Sequence, residues 1–511
     1  MELFLSKNEK RAIAILEFLY SEEKNFIVQD IALTVNCSTN SVNESLIFLN
    51  RLLKTYNVPD ISLNVEKGSI FLKADNYSSV HYLKILTIQE STSYKILDEI
   101  FQDSQLTIET IERKLYLSRS TIYRKLNMLE KLLNDSGLKF SKKDLTIIGN
   151  EATIREFFYN YYLSFAHLAI WPFKTIDRNN LKSKLVYFQK QSKVVLTTAE
   201  ELQLTYRLAI NTIRYQQKKF IDHLPSNVTI APIVKEVLMN VRVIFQDRVP
   251  VLYQKKEEEY LYLLYVTYPS LKIFSDSKQV KEAVYWHEKT KSSAHYLVSE
   301  LLNELIRVFP SIKNNVSSDE VQYKLLSVAN YALLYPNLNV ELGFSSRWDR
   351  RFQSISLLSI DQPLFTKVLW NIITTINTNV NLPLINPNHV FYFIYSILSQ
   401  CLDLKLFEET ISVKIILEVG YLIEDEFASK FQSLLLQNTY IVTSRTQDDE
   451  LVHYDLVISD LEYLLIDYKN AKKKYVASYP PVQRDISNLK SIVEELSILK
   501  IMAEGKNDAK E

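Results

Sequence analysis

Arg119, Ser120, Thr121, Tyr123, Arg124, Lys125, Asn127 and Lys131 crowd into one short run and recur at intervals of three and four. That spacing collects most of them on one side of an α-helix. Cations neutralise phosphates, while amides and hydroxyls bond to base edges, so the set suits a helix that reads a nucleic-acid duplex. Lys142 and Lys143 follow shortly after and would add backbone contacts. A weaker set, Thr39, Asn40, Ser41, Asn43 and Arg51, lies earlier in the chain. Between Thr107 and Lys143, nine Lys or Arg stand against four Asp or Glu, although the whole chain is balanced at 60 and 60. Attraction for a polyanion is therefore local, stronger around the second set than the first.

Two helices must position the second set. Ile108, Ile111 and Leu115 repeat at helical spacing, Tyr116-Leu117 interrupts them, and Ser118 stands where an N-cap belongs. Ile122, Leu126, Leu129, Leu132 and Leu133 then form the inward stripe of a second helix. The stretch 107–133 thus predicts a helix-turn-helix. The pattern occurs earlier in register over 28–53, with Ile31, Ser38, Val42, Leu46, Leu49, Leu52 and Leu53 answering Ile111, Ser118, Ile122, Leu126, Leu129, Leu132 and Leu133. Alternating runs at 63–72 and 138–147 predict a β-hairpin after each pair, making two winged helices. Opening helices are expected at 9–20 and 94–101, a connecting helix at 80–88, and a further helix at 151–169.

Beyond residue 173 the pattern is long amphipathic helices, expected at 181–191, 199–220, 233–245, 256–266, 277–308, 319–334, 362–376 and 388–402. Near 411 it changes to short apolar runs at 413–419, 440–443, 455–458 and 474–477, with helices at 425–436 and 482–500. That alternation predicts a small parallel α/β sheet, and the polar tail after Met502 reads as disordered.

Composition removes several function classes. A chain of 511 residues implies roughly three to five domains. Six glycines leave no glycine-rich phosphate loop, and no Walker, dinucleotide or nucleophile-elbow pattern occurs, so no catalytic residue or cofactor is expected. Cys37 and Cys401 support neither a disulfide framework nor a cysteine-based metal site, and no metal spacing of histidines occurs. Cys37 matches Leu117 in the repeat and reads as a small core residue. The N-terminal residues lack the apolar run of a signal peptide, and 390–402 is too short to span a bilayer, which points to a reduced cytoplasmic setting without membrane contact. Among seven histidines, His223 beside Asp222 and His389 in Asn-Pro-Asn-His are the candidate phosphorylation sites.

The NCST turn at 36–39, the LSRSTIYRKL block at 117–126, and the run from Ile147 to Tyr161 leading into Trp171-Pro172-Phe173 resemble the Mga/AtxA-type transcriptional regulators of Gram-positive bacteria. The resemblance spans the chain, with specific motifs in the N-terminal third and only element order beyond about residue 175. It implies a mainly α, multidomain protein. Winged helix-turn-helix domains would occupy 1–74 and 75–172, PTS-regulation (PRD-like) helical domains 173–282 and 283–408, and an EIIB-like α/β domain 409–503, with a tail at 504–511. It further implies double-stranded DNA as partner, homodimerisation through the PRD-like and C-terminal parts, and regulation by phosphocarrier proteins of the sugar phosphotransferase system. Two departures stand out. Val419 precedes Gly420 where an EIIB cysteine would fall, with acidic residues after it, and the first PRD histidine motif falls on Tyr206-Arg207-Leu208. The expected function is DNA-binding transcriptional regulation. The alternatives are a phosphotransferase relay protein and a protein-interaction scaffold that does not bind DNA.

Overall fold

A computed structural model describes residues 5–66, 68–165, 171–192, 194–267, 274, 276–336, 338, 362–379, 387–407, 410–434, 439–444 and 453–504. By compactness, the described residues form two units, one drawn from 1–276 and 331–349, the other from 277–330 and 350–511.

Ser6 opens α1 (Lys7–Ser21) with a capping box shared with Glu9, and the helix buries Ala12, Ile13, Ile15, Leu16 and Leu19. Then come β1 (Phe26–Ile27), α2 (Val28–Thr34), α3 (Thr39–Tyr56), β2 (Ile61–Glu66) and β3 (Ser69–Ala74). β2 and β3 form an antiparallel hairpin with Leu63 opposite Leu72, and β1 pairs with the other edge of β3. The expected connecting helix is α4 (Tyr77–Gln89). Val80, Tyr82, Leu83 and Leu86 from it join the core made by α1, α2 and α3, so it belongs to the packing of the first module. Cys37 packs at the edge of the same core.

The second module repeats the order with α5 (Thr92–Gln102), α6 (Ile108–Leu115), α7 (Arg119–Asp135), β4 (Lys139–Ser141) and β5 (Thr146–Ile148). Its hairpin pairs Phe140 with Ile147 and has two strands where the first module has three.

Asn150 caps α8 (Glu151–Ser164), accepting from the amides of Ala152 and Thr153. This helix is buried nearly all round, so periodicity alone could not assign it a face. Phe158 meets Phe101 at 4.0 Å between ring centroids and Tyr161 stacks on Tyr94 at 5.1 Å, which fastens α8 to α5. After it come α9 (Arg178–Ser192), α10 (Thr198–Gln216), α11 (Pro232–Val237) and α12 (Val251–Val266). Arg155 on α8 donates to both carboxylate oxygens of Glu257 on α12, at 2.7 and 2.8 Å, and to Glu151 at 2.9 Å. Arg214 on α10 donates to Glu151 at 2.9 and 2.7 Å, and Arg207 on α10 pairs with Glu156. Glu257 is 0% and Arg155 1% exposed. Charges buried to this degree persist only when paired, so the network pins the helix behind the second wing to α10 and α12.

Several expected helices end or break early. The 199–220 helix stops at Gln216, because Lys218 takes a left-handed conformation (φ 57). The 233–245 helix is instead α11 followed by a 3-10 turn, Val241–Ile244. The 277–308 helix is two, α13 (Ser277–Lys289) and α14 (Ser293–Val308): Lys291 is left-handed (φ 48) and Ser292 caps the restart by accepting from His295. Then follow α15 (Lys313–Val316), α16 (Asp319–Leu334), α17 (Pro363–Asn379) and α18 (Pro387–Cys401).

The C-terminal elements are β6 (Ile411–Ile416), α19 (Tyr421–Leu434), β7 (Thr439–Val442), β8 (Leu456–Ser459), β9 (Lys473–Val476) and α20 (Gln483–Glu504). The strands form a wholly parallel sheet in the order β7-β6-β8-β9. Val413, Ile415, Leu456 and Ile458 pack there with Phe427, Phe431, Leu489 and Val493. The end of the expected 151–169 helix and the tail beyond 504 lie outside the described residues.

Candidate nucleic-acid interface

Each module builds its turn in the same way. Asn36 and Tyr116 both take a left-handed conformation at φ 53. Ser38 and Ser118 then cap the following helices, accepting from the amides of Ser41 at 3.2 Å and Thr121 at 3.3 Å. These caps satisfy an amide that the first helical turn would leave unbonded. α3 buries Val42, Leu46, Leu49 and Leu52, and α7 buries Ile122, Leu126, Leu129, Leu132 and Leu133. The opposite faces are left to solvent.

On α7, Arg119, Ser120, Tyr123, Arg124, Asn127 and Lys131 are exposed together. Thr121 is half-buried and its hydroxyl lies 2.9 Å from the Ser118 hydroxyl, so it serves the cap. Arg119 reaches Glu109 on α6 at 3.3 Å. The Glu109 carboxyl is held below its ordinary value by its own backbone amide and the Thr107 hydroxyl, and further by the charge of Arg119. Lys125 stands apart: it is half-buried, burial lowers its ammonium pKa, and the carboxylate of Glu9 in the first module partly offsets this. In the wing, Lys142 is tied to Glu130 at 2.6 Å, while Lys143 is exposed at the tip without an ion pair among the described residues.

On α3, Thr39, Asn40, Asn43 and Arg51 are exposed, Ser41 is half-buried beside Ser38, and the Arg51 guanidinium lies over the Phe48 ring at 5.3 Å. Three exposed residues were not among the contacts expected from the sequence. Arg113, Tyr116 and Lys139 flank the α7 face; Tyr116 is 93% exposed, and Arg113 and Lys139 have no ion pair among the described residues. For Tyr116 a signal was available, since its partner in the repeat is Asn36, a residue enriched in left-handed turns where a bulky ring is a rare outlier. Lys114, also basic, is drawn away to Glu99 and Asp103, and its pKa is raised chiefly by the hydrogen bond to Glu99.

The other candidate positions lie elsewhere. His223 is exposed in an irregular segment with no hydrogen bond to Asp222 among the described residues; its carbonyl accepts from Asn150 at 3.5 Å. His389 lies in the first turn of α18, and its side chain is outside the described residues. Arg207 is buried against Glu156 and over the ring of Tyr159. Beyond the ends of the parallel strands, Glu424 accepts from the Leu417 amide at 3.0 Å and from the amide and hydroxyl of Ser444 at 2.7 and 2.8 Å. Asp460 accepts from the Glu418 amide at 3.0 Å. Ligands of open α/β sheets sit in this place, and here the chain's own carboxylates hold its amides. Among the described residues, no cluster of His, Cys, Asp and Glu could hold a metal, and no helix is long and apolar enough to cross a membrane.

A family profile described as the Mga helix-turn-helix domain matches residues 76–162, which run from α4 through the second helix-turn-helix and its wing into α8. The capsule synthesis positive regulator AcpB of Bacillus anthracis is 25% identical over 331 residues, covering 62% of this chain and 64% of that protein. The chain is similar to the Mga/AtxA-type regulators. Two further relatives are the anthrax toxin expression trans-acting positive regulator of Bacillus anthracis, 24% identical over 222 residues, and a putative trans-acting regulator of Streptococcus pneumoniae, 24% identical over 223. Each of these two alignments covers 43% of this chain, and 45% and 44% of the relative respectively. The chain therefore spans less than two thirds of the length of the relatives it matches. Within the Mga-type match lie all the α7 residues and both wing lysines singled out above.

Proposed function

We propose that this chain is a sequence-specific, double-stranded DNA-binding transcriptional regulator, without catalytic activity, that reads its site with two winged helices. One observation carries this reading: two helix-turn-helix units with the same left-handed turn and the same serine cap, each presenting a solvent-exposed helix face. α7 would enter a major groove, with Arg119, Ser120, Tyr123, Arg124 and Asn127 toward the bases and flanking phosphates, while Lys131 and Lys143 hold backbone. Lys125, Lys142 and Thr121 would contribute less, because burial, Glu130 and the cap respectively engage them. α3 would supply a second contact through Thr39, Asn40, Ser41, Asn43 and Arg51. The family's PRD-like and EIIB-like assignments for the helical middle and the parallel sheet, with homodimerisation through them, complete the proposal. Phosphotransfer from phosphocarrier proteins would act at His223, whose exposure suits it, and at His389.

The relay alternative is disfavoured at the sheet: Val419 is exposed where a cysteine would be needed, and Glu424 occupies the amides that would hold a phosphoryl group. Titration of labelled duplex with the full chain at increasing salt tests the proposal. Affinity should fall steeply and linearly on logarithmic axes, as released counterions require. Absence of duplex binding at low salt would leave the scaffold reading in place.

A further inference from the structure

The shared turn and cap make the two recognition helices comparable position by position. The stripe Ser120, Tyr123 and Asn127 on α7 corresponds to Asn40, Asn43 and Ile47 on α3, and both are exposed along one face. Among the α7 cations, Lys131 corresponds to Arg51, and the others have no basic counterpart. Where α7 has Arg119 and Arg124, α3 has Thr39 and Glu44, and Leu33 stands where α6 has Arg113. Glu44 approaches Arg11 of α1 at 4.0 Å, so that guanidinium faces a carboxylate of α3. Ile47 is 71% exposed in the middle of the face, and Leu33 is 81% exposed beside the turn. An isoleucine this exposed adds little to the core and cannot attract phosphate.

Such a face suits one kind of base pair. An asparagine amide donates to N7 and accepts from N6 of adenine in the same plane, and an aliphatic side chain packs on the methyl group of thymine. We propose that the first winged helix reads A·T pairs, through Asn40, Asn43 and Ile47, while the second supplies most of the attraction for phosphate. This rests on the DNA-binding reading above and adds a division of labour to it: base discrimination in α3, charge in α7. The two are separable because counterion release follows phosphates neutralised, not bases read.

Selection from a random-sequence duplex pool by the full chain, followed by thymine-to-deoxyuridine replacement in the selected duplexes, tests this. The selected duplexes should carry an A·T segment. Replacing its thymines should weaken binding by the wild-type chain about fourfold for each methyl contacted. Ile47→Ala, an exposed substitution that leaves the core intact, should bind the thymine and deoxyuridine duplexes alike and keep the wild-type salt slope. Arg124→Ala should lower that slope and remain sensitive to the methyl. Salt-dependent binding with no methyl effect, or an Ile47-dependent segment rich in G·C, would overturn the assignment while leaving DNA binding intact. If no duplex is retained, the DNA reading itself falls and this one with it.

Discussion

At the scale of single residues, the proposed interface depends on which cations are already engaged. A count of charges treats the nine basic residues from Thr107 to Lys143 as equals. The folded chain ties Lys114 to Glu99, Arg119 to Glu109 and Lys142 to Glu130, and leaves Arg124 exposed with no ion pair among the described residues. An exposed pair is worth about 0–1 kcal/mol, so a bound duplex would first have to displace Glu109 from Arg119 but no ion-pair partner among the described residues from Arg124. Arg124→Ala should therefore weaken duplex binding about tenfold or more, as expected for a lost contact of about 1–3 kcal/mol. Arg119→Ala should cost less, and Glu109→Ala should strengthen binding slightly. Fluorescence anisotropy on one duplex ranks the three; equal losses for the two arginines, with Glu109→Ala inert, would contradict the pairing argument. The residue types and their face were legible in the sequence because they follow helical spacing. Their partners were not, because the pairing joins residues on different elements.

At the scale of elements, legibility followed burial pattern. Helices with one wet face, such as α3 and α7, carry an apolar stripe that fixes both their extent and their outward side. The break at Lys291 and the early stop at Gln216 left no such trace, since a left-handed lysine has no residue-type signature. α8 posed the opposite difficulty: Glu151, Arg155 and Glu156 look like a solvated face and are buried. Burial pushes the Glu151 carboxyl up, but the Arg214 hydrogen bonds and the charge of Arg155 hold it below its usual value. Removing one member of such a network strands a charge in the interior. Glu257→Ala should destabilise the packing of α8, α10 and α12 by about 3–5 kcal/mol. Hydrogen exchange in 151–164 and 251–266 would report it, and unchanged protection in both segments would show that the network does not hold them together. Glu257→Gln, which keeps the volume and some hydrogen bonds, should fall between.

At the scale of the whole molecule, the two units should respond differently to acid. His287 in α13 is buried, with its Nδ1 2.8 Å from the Ser292 hydroxyl; burial, assisted by the neighbouring His295, lowers its pKa to about 4. An unfolded histidine titrates near 6.5, so between about pH 6.5 and 4 the unfolded chain takes up a proton that the folded chain refuses. Stability of the unit that contains α13 and α14 is therefore lost as pH falls through that window, by up to about 3 kcal/mol at its lower end. Asp455 and Asp485 in the same unit are depressed carboxyls, whose contribution stays intact until pH drops below their unfolded value near 4. Glu151, the shifted acid of the other unit's network, has the same sign and likewise keeps its contribution until below about 4.5. Lowering pH from 7 to 5 should thus open 277–308 to hydrogen exchange while 151–164 and 251–266 stay protected. His287→Gln, which can still bond to Ser292 but cannot titrate, should remove most of that early opening. Simultaneous loss of protection in both units, or an undiminished opening in His287→Gln, would place the acid sensitivity in some other group.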